Sequence, residues 1–316
     1  MTQIKTVAVL GTGVIGASWT SLFLAAGLKV RAYDPADENG EKLQAYIEAA
    51  WPALDALGLT INGDASNYSM HSSAAEAVTG AQFVQESVPE RLELKHALYA
   101  EIEPVLEADA VVASSASGLL VKEMQQGWRD PSRFILGHPF NPPHLIPLVE
   151  LLANDRTAPG VLEQAEAFYQ QVGKITIRVN REVPAHVANR LQAALWREAI
   201  SLVQNGVASV EDVDKAVWAG PGLRWAAMGP HMLFHLGAGE GGMLEFCNRY
   251  RDSFHRWWDD LEEVQLTPEL AQDLAQGVDR ESGQQSTGEL STRRDDLIVG
   301  FLQSRRRLED SYETKT

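Results

Sequence analysis

The stretch Val7-Ala8-Val9-Leu10-Gly11-Thr12-Gly13-Val14-Ile15-Gly16, close to the N-terminus, decides the fold. Four apolar residues read as a buried strand, and three glycines follow at the spacing G-x-G-x-x-G. The run from Ala17 to Gly27 then reads as a helix closed by glycine. A dinucleotide site needs this order of parts. Gly11 allows the tight turn, Gly13 lets backbone approach a pyrophosphate, and Gly16 lets the helix pack close to the strand. The free N–H groups at the start of the helix then face the phosphates. The same glycine spacing also occurs in plain glycine-rich turns, so the context matters. Here a second apolar strand, Lys29–Tyr33, follows and ends in Asp34, 18 residues after Gly16. An acid at that place meets the adenosine ribose hydroxyls. Its carboxylate repels a 2′-phosphate, and Pro35 and Ala36 offer no arginine to receive one. The expected cofactor is therefore NAD, lined by Gly11, Thr12, Gly13, Val14, Ile15, Gly16 and Asp34.

Outward from this element, 316 residues suffice for a large core and two domains. Short apolar strands alternate with helical stretches to about residue 180, near Tyr68–His71, Gln82–Gln85, Ala110–Ala113, Arg133–Leu136, Pro147–Leu152 and Lys174–Val179. Helices are expected between them, such as Gly40–Leu57 and Gly160–Val172. This alternation predicts an α/β fold, a doubly wound and mainly parallel sheet of Rossmann type. After Val183-Pro184 the character changes. Pro184 suits a helix start, and residues 185 to 205 read as one long helix, apolar on more than one face and so expected to be buried, within a domain or at a subunit interface. Ser209-Val210-Glu211-Asp212 looks like a capping box, and Thr267-Pro268 like a further helix start. The polar segment from Gly277 to Gly288 reads as a mobile loop, and Ser304–Arg307 as a solvated helix face. The expected domains are 1–183, binding the cofactor, and an all-helical 184–316, for substrate and dimerisation.

The formal net charge of −16 argues against nucleic acid or an anionic membrane as partner. Cys247 is the only cysteine, which excludes an intramolecular disulfide and a cysteine metal cluster. Nothing resembles a signal peptide, and no apolar run is long enough to span a bilayer, so a cytoplasmic location is expected.

Two anomalies mark the chemistry. Phe134–Gly137 leads into His138-Pro139-Phe140-Asn141-Pro142-Pro143, which displays a histidine at the C-terminal end of a strand, where ligands bind in such sheets. Twelve residues later Glu150 stands between four apolar residues, Leu148, Val149, Leu151 and Leu152. A carboxylate there is costly unless paired. If Glu150 holds His138, it fixes the ring tautomer and leaves the other nitrogen as general base. Ser114-Ser115-Ala116-Ser117-Gly118 follows another strand at the same edge. Its hydroxyls suit a substrate oxygen or the nicotinamide, and equally a helix cap. His71, His96, His144 and His255 show no metal spacing and read as structural.

The pattern His138-x-Phe-Asn-Pro, then Leu-Val-Glu150, preceded by Ser-x-x-Ser-Gly and followed by Pro184 and Asn189-Arg190-Leu191, resembles the 3-hydroxyacyl-CoA dehydrogenase superfamily over residues 4 to 260. The resemblance implies that His138 is the general base, oriented by Glu150. It implies that Ser117 and Asn189 contact the reacting oxygen or place the nicotinamide, that Glu90 and Lys95 touch NAD, and that the chain forms a homodimer through its helical domain. Ser115 departs from the pattern, since many members carry asparagine there.

Coenzyme A carries several phosphate charges, yet residues 35 to 90 hold one basic residue, Lys42. Electrostatics therefore disfavour a CoA ester. The stretch Gly220–Pro230, with Phe234-His235-Leu236 and Gly239–Met243 beyond it, resembles the branch that acts on free 3-hydroxy acids. It implies NAD-dependent oxidation of the 3-hydroxyl of L-carnitine to 3-dehydrocarnitine. A 3-hydroxy sugar acid such as L-gulonate and a short 3-hydroxyacyl substrate are the alternatives. A non-catalytic NAD-binding protein of the lambda-crystallin kind is a third, against which the acid–base pair argues. A guanidinium grips a carboxylate through both oxygens, which points to Arg224, with a helical-domain acid such as Glu240 as its other possible partner. A trimethylammonium group is attracted by aromatic faces, which points to Trp225 and Phe140, with Trp218 behind them.

Overall fold

The computed structural model describes residues 3–36, 38–283 and 285–313. Eight strands, β1 (Thr6–Leu10), β2 (Lys29–Tyr33), β3 (Tyr68–Met70), β4 (Phe83–Glu86), β5 (Val111–Ser114), β6 (Phe134–Pro139), β7 (Leu148–Leu152) and β8 (Ile175–Arg178), form one sheet. Its order is β3-β2-β1-β4-β5-β6-β7-β8. Every neighbouring pair is parallel except β6 and β7. The helices between the strands are α1 (Val14–Ala25), α2 (Asn39–Ala56), α3 (Ala74–Val78), α4 (Leu92–Ile102), α5 (Val121–Met124) and α6 (Val161–Gln171).

Both faces of the sheet are covered because the strands are apolar on both sides. Val7 and Val9 face a core with Trp19, Phe23, Leu43, Ile47 and Phe168, from α1, α2 and α6. Ala8 and Leu10, between and beyond them, face a second core with Val78, Leu98, Tyr99 and Ile102, from α3 and α4. Phe83 stacks on Phe168 with ring centroids 4.1 Å apart.

Two compact units result, residues 1–188 with 294–316, and residues 189–293. The expected boundary was 183/184. The second unit is all helical, built from α7 (Ala188–Gln204), α8 (Val210–Ala219), α9 (Pro221–Ala227), α10 (Pro230–Gly237), α11 (Gly242–Asp260), α12 (Pro268–Ser282) and the start of α13 (Thr287–Glu313). The later part of α13 groups with the first unit, where the Gln303 amide donates to the Ala56 carbonyl at 2.7 Å. Ser209 and Thr267 cap α8 and α12 as expected. Among the described residues no helix is long and apolar enough to cross a membrane.

Two expectations change, the start of the long helix and the loop near Gly277. The long helix starts at Ala188 rather than at Pro184, because Ala185 and His186 adopt left-handed backbone, φ 63° and 51°. Within this one chain only Ile200 and Ser201 of that helix are buried, while Leu191, Leu195 and Trp196 are exposed, which leaves a subunit interface as the place where its apolar faces would be covered. The segment expected as a loop from Gly277 to Gly288 is mostly helix. Gly277 sits inside α12, where a Cβ would collide with the Val210 side chain, and among the described residues of this stretch Gly283, Gln285 and Ser286 are the non-helical ones.

Candidate active site

The C-terminal ends of β1, β2, β4, β5 and β6 meet at one edge of the sheet, and the chemistry-bearing residues of the first unit sit there. Gly11 has φ +84°, and its N–H donates to the Tyr33 carbonyl at 2.8 Å. A Cβ on Gly11 would come 2.8 Å from the Ser87 backbone, and one on Gly16 would collide with the Gly11 carbonyl. A Cβ on Gly13 would meet nothing within 4 Å. Gly13 is the N-cap of α1, and no side chain caps that helix end. Open space over an uncapped helix N-terminus fits a pyrophosphate. Asp34 Oδ2 accepts from the Thr12 N–H at 2.7 Å, with Thr12 Oγ1 at 3.4 Å, and Oδ1 accepts from the Ala36 N–H at 3.2 Å. The carboxylate thus holds the turn, and Asp34 as a whole stays half-buried. These residues fit NAD.

Beyond β4 lies a buried ionic cluster. The Glu86 carboxylate receives Lys95 Nζ at 2.6 Å, the Val88 N–H at 2.8 Å, the Tyr99 hydroxyl at 2.8 Å and Ser114 Oγ at 2.6 Å. Lys95, expected at the cofactor, is therefore buried, with its ammonium on Glu86 and on the Val88 carbonyl at 3.2 Å. Its ammonium thus ties together the two ends of the Glu86–Val88 turn, whose Ser87 backbone lies beside Gly11. Desolvation of so complete an ion pair is offset because each member is hydrogen-bonded. Ser115 Oγ receives the Gln85 amide at 2.9 Å and lies 2.9 Å from Ser87 Oγ, a structural position.

Glu90 and Ser117 are brought together. The Glu90 carboxylate accepts from the Ser117 N–H, from Ser117 Oγ at 2.7 Å and from the Gly118 N–H at 3.1 Å. Burial would raise the Glu90 carboxyl, but these hydrogen bonds outweigh it and hold the group below its ordinary value.

His138 and Glu150 form the centre. β6 and β7 run antiparallel with His138 directly opposite Glu150, so their side chains share one face. His138 Nδ1 lies 2.8 Å from Glu150 Oε2, and both residues are buried. A carboxylate only accepts, so Nδ1 carries a proton and Nε2 is the ring nitrogen that Glu150 leaves free. Glu150 Oε1 accepts from the Val187 N–H at 2.9 Å and the Ala188 N–H at 3.0 Å, at the start of α7. Burial would raise the Glu150 carboxyl; the bonds from His138, Ala188 and Val187 prevail and keep it low, hence ionised. This carboxylate also explains why α7 starts late: it supplies the cap that Pro184 does not.

Two rings flank His138. Phe140 lies edge-on with centroids 5.9 Å apart, and His186 is tilted at 5.2 Å. No feature of the sequence singled out His186, whose place depends on the left-handed turn before α7. Behind the loop that follows His138, the buried Lys174 donates to the Pro143 carbonyl and to the Ile146 carbonyl at 2.9 Å, over the Trp19 ring. Burial pushes its ammonium down to about 7. His144, read as structural, lies 2.8 Å through Nδ1 from Ser18 Oγ, and burial lowers it to about 4.

In the second unit Asn189 is the residue after Ala188 on α7. Arg224 and Trp225 are exposed neighbours on α9, and Trp218 is exposed on α8. Arg224 makes no ion pair with Glu240 among the described residues. Among those residues no group of three or more His, Cys, Asp or Glu side chains could hold a metal.

A dinucleotide cradle beside a buried His–Glu pair defines a nicotinamide-dependent dehydrogenase. Residues 6–183 match the 3-hydroxyacyl-CoA dehydrogenase NAD binding domain and residues 186–278 match the C-terminal domain of the same family. The chain belongs to that family, and it is an NAD-dependent 3-hydroxy acid dehydrogenase. It is similar to the L-carnitine dehydrogenase of Streptomyces griseus, 44% identical over 311 residues, which cover 98% of this chain and 93% of that protein. The L-carnitine dehydrogenase of Pseudomonas putida is 40% identical over 304 residues, 96% of this chain and 95% of the relative. Among solved structures, the 5-formyl-3-hydroxy-2-methylpyridine 4-carboxylic acid 5-dehydrogenase, described as an NAD+ dependent dismutase, superposes with a TM-score of 0.82. It is 28% identical, over 97% of this chain and 99% of that one.

Proposed function

We propose that this enzyme oxidises the 3-hydroxyl of L-carnitine to 3-dehydrocarnitine, with His138 as general base. The observation that carries the chemistry is the buried His138–Glu150 pair. The observation that carries the substrate is the similarity, over nearly the whole chain, to proteins named L-carnitine dehydrogenase. Gly11 to Gly16, Asp34 and Glu90 would hold NAD, which would supply the acceptor for the hydride. His138 Nε2 takes the hydroxyl proton as the C–H bond breaks. Glu150 keeps Nδ1 protonated, so that Nε2 is the free base, and it stabilises the imidazolium that forms, an effect on the scale of 10²–10⁴ in rate for general-base catalysis. Ser117 and Asn189 position the reacting oxygen or the nicotinamide. Arg224 receives the substrate carboxylate, and Phe140 and Trp225 offer aromatic faces to the trimethylammonium. The helical unit carries the homodimer contact; exposed Leu191, Trp196, Trp257 and Trp258 supply apolar surface for it.

The test is a panel of L-carnitine, L-gulonate, 3-hydroxybutyrate and 3-hydroxybutyryl-CoA, each assayed with NAD. The expected result is the highest kcat/KM for L-carnitine. Good turnover of gulonate with none of carnitine replaces this reading by the sugar-acid one, and no turnover of any compound favours a non-catalytic protein.

A further inference from the structure

We propose that His186 is a specificity residue of this site: beside Phe140, it lines the place taken by a quaternary ammonium group next to the reacting carbon. The inference rests on the substrate reading above and assigns one end of that substrate to the first unit.

Geometry supplies the first argument. In L-carnitine the cationic nitrogen is two bonds from the reacting carbon, roughly 2.5 Å by ordinary bond lengths and angles. When the hydroxyl reaches His138, the ammonium is within reach of the groups that flank that ring. The flanking rings are Phe140 and His186.

Chemistry supplies the second. His186 is 1% exposed. Its Nε2 faces the Ala116 carbonyl at 3.4 Å, an acceptor only, so Nε2 carries the proton. Nδ1 is then a lone pair, buried with no hydrogen-bond partner. Burial first, and the neighbouring His138 second, hold the imidazole below its ordinary value, and the other charges acting on it are those of Glu150 and Glu90. A neutral ring with an unpaired acceptor, beside two carboxylates, repels an anion. It attracts a quaternary ammonium, which has no N–H to donate and spreads its charge over polarised C–H groups.

The backbone supplies the third. Ala185 and His186 both have left-handed φ, a conformation costly for residues with a side chain. The turn is held by the His186 N–H on the Val183 carbonyl at 3.2 Å and by the Val187 and Ala188 N–H groups on Glu150. One carboxylate therefore orients both His138 and the segment that aims His186 at it.

The experiment compares L-carnitine with 3-hydroxy-5,5-dimethylhexanoate, in which tert-butyl replaces trimethylammonium. The readout is the ratio of KM for carnitine to KM for the uncharged compound. His186→Leu removes ring and lone pair, and the ratio should rise about fivefold or more, the scale of one cation–ring contact. His186→Gln restores an acceptor and should bring the ratio back to within about twofold of wild type. If the leucine variant does not fold, the more adaptable His186→Met carries the same expectation as the leucine variant. An unchanged ratio in the apolar variants, or equal increases in both KM values, overturns the proposal. Wild-type enzyme that does not oxidise carnitine overturns the substrate reading and this assignment with it. Wild-type turnover with an unchanged ratio overturns this assignment alone.

Discussion

Replacing Glu150 by glutamine changes one oxygen for NH2 and nothing in shape, yet the structure allows it no satisfactory orientation. The carboxylate accepts three hydrogen bonds, at 2.8 Å from His138 and at 2.9 and 3.0 Å from the Val187 and Ala188 N–H groups. If the amide oxygen faces the two backbone donors, its NH2 faces His138 Nδ1. The ring must then move its proton to Nε2, which blocks the base. If the oxygen faces His138 instead, the NH2 opposes two N–H groups in a buried place, costing about 1–3 kcal/mol of stability. Either way the imidazolium loses its counter-charge. Turnover should fall by roughly 10³–10⁴, the scale seen when a buried carboxylate partner of a catalytic histidine becomes an amide. NAD affinity, measured by fluorescence titration, should stay within about threefold of wild type, because no cradle residue is touched. The pH dependence of stability carries a sign. The folded Glu150 carboxyl sits below its ordinary value, so its ionised form contributes stability above the unfolded value, lost as pH falls through the folded one. Urea unfolding of Glu150→Gln should therefore show a weaker loss of stability in that acid range than wild type. A kcat within tenfold of wild type would refute the reasoning.

Asp34→Ala should weaken NAD and narrow the gap between NAD and NADP in kcat/KM; an unchanged ratio would show that Asp34 does not meet the ribose. Arg224→Met should raise KM for L-carnitine by about 10- to 100-fold, the range for a charge-assisted hydrogen bond, and leave NAD binding intact; an unchanged KM removes Arg224 from the site. Lys174 is held near 7 in the fold, so between there and its ordinary 10.5 the unfolded chain binds more protons and stability rises with pH. The slope contributed is at most about 1.4 kcal/mol per pH unit, and urea unfolding of Lys174→Met should show it gone. Equal slopes in both proteins would mean that the buried ammonium does not titrate in this range.

Legibility in the sequence followed locality. β1, the glycines, α1 and Asp34 are contiguous, and each part constrains the next, so the cradle could be read directly. The His138–Glu150 pair was legible because a carboxylate between apolar residues needs a partner, although the antiparallel turn of β7 that sets them opposite was not. Lys95 was read as a cofactor contact, and the reason it is not at the surface lies in Glu86, whose complete burial depends on β5 and α4 packing around it. His186 was invisible. Pro184 suggested a helix start, and nothing in Ala185-His186 signals two left-handed residues, which exist here because Glu150 caps α7 from another strand. Gly277 misled for a related reason: a glycine that reads as a loop is a close contact with Val210 inside a helix.

The most direct test of the account sets wild type and His138→Ala side by side, oxidising L-carnitine with saturating NAD. The account predicts turnover by wild type. In the variant it predicts unchanged NAD affinity and a kcat lower by about two to four powers of ten. Near-normal turnover by the variant would contradict it, as would wild-type enzyme that leaves carnitine untouched.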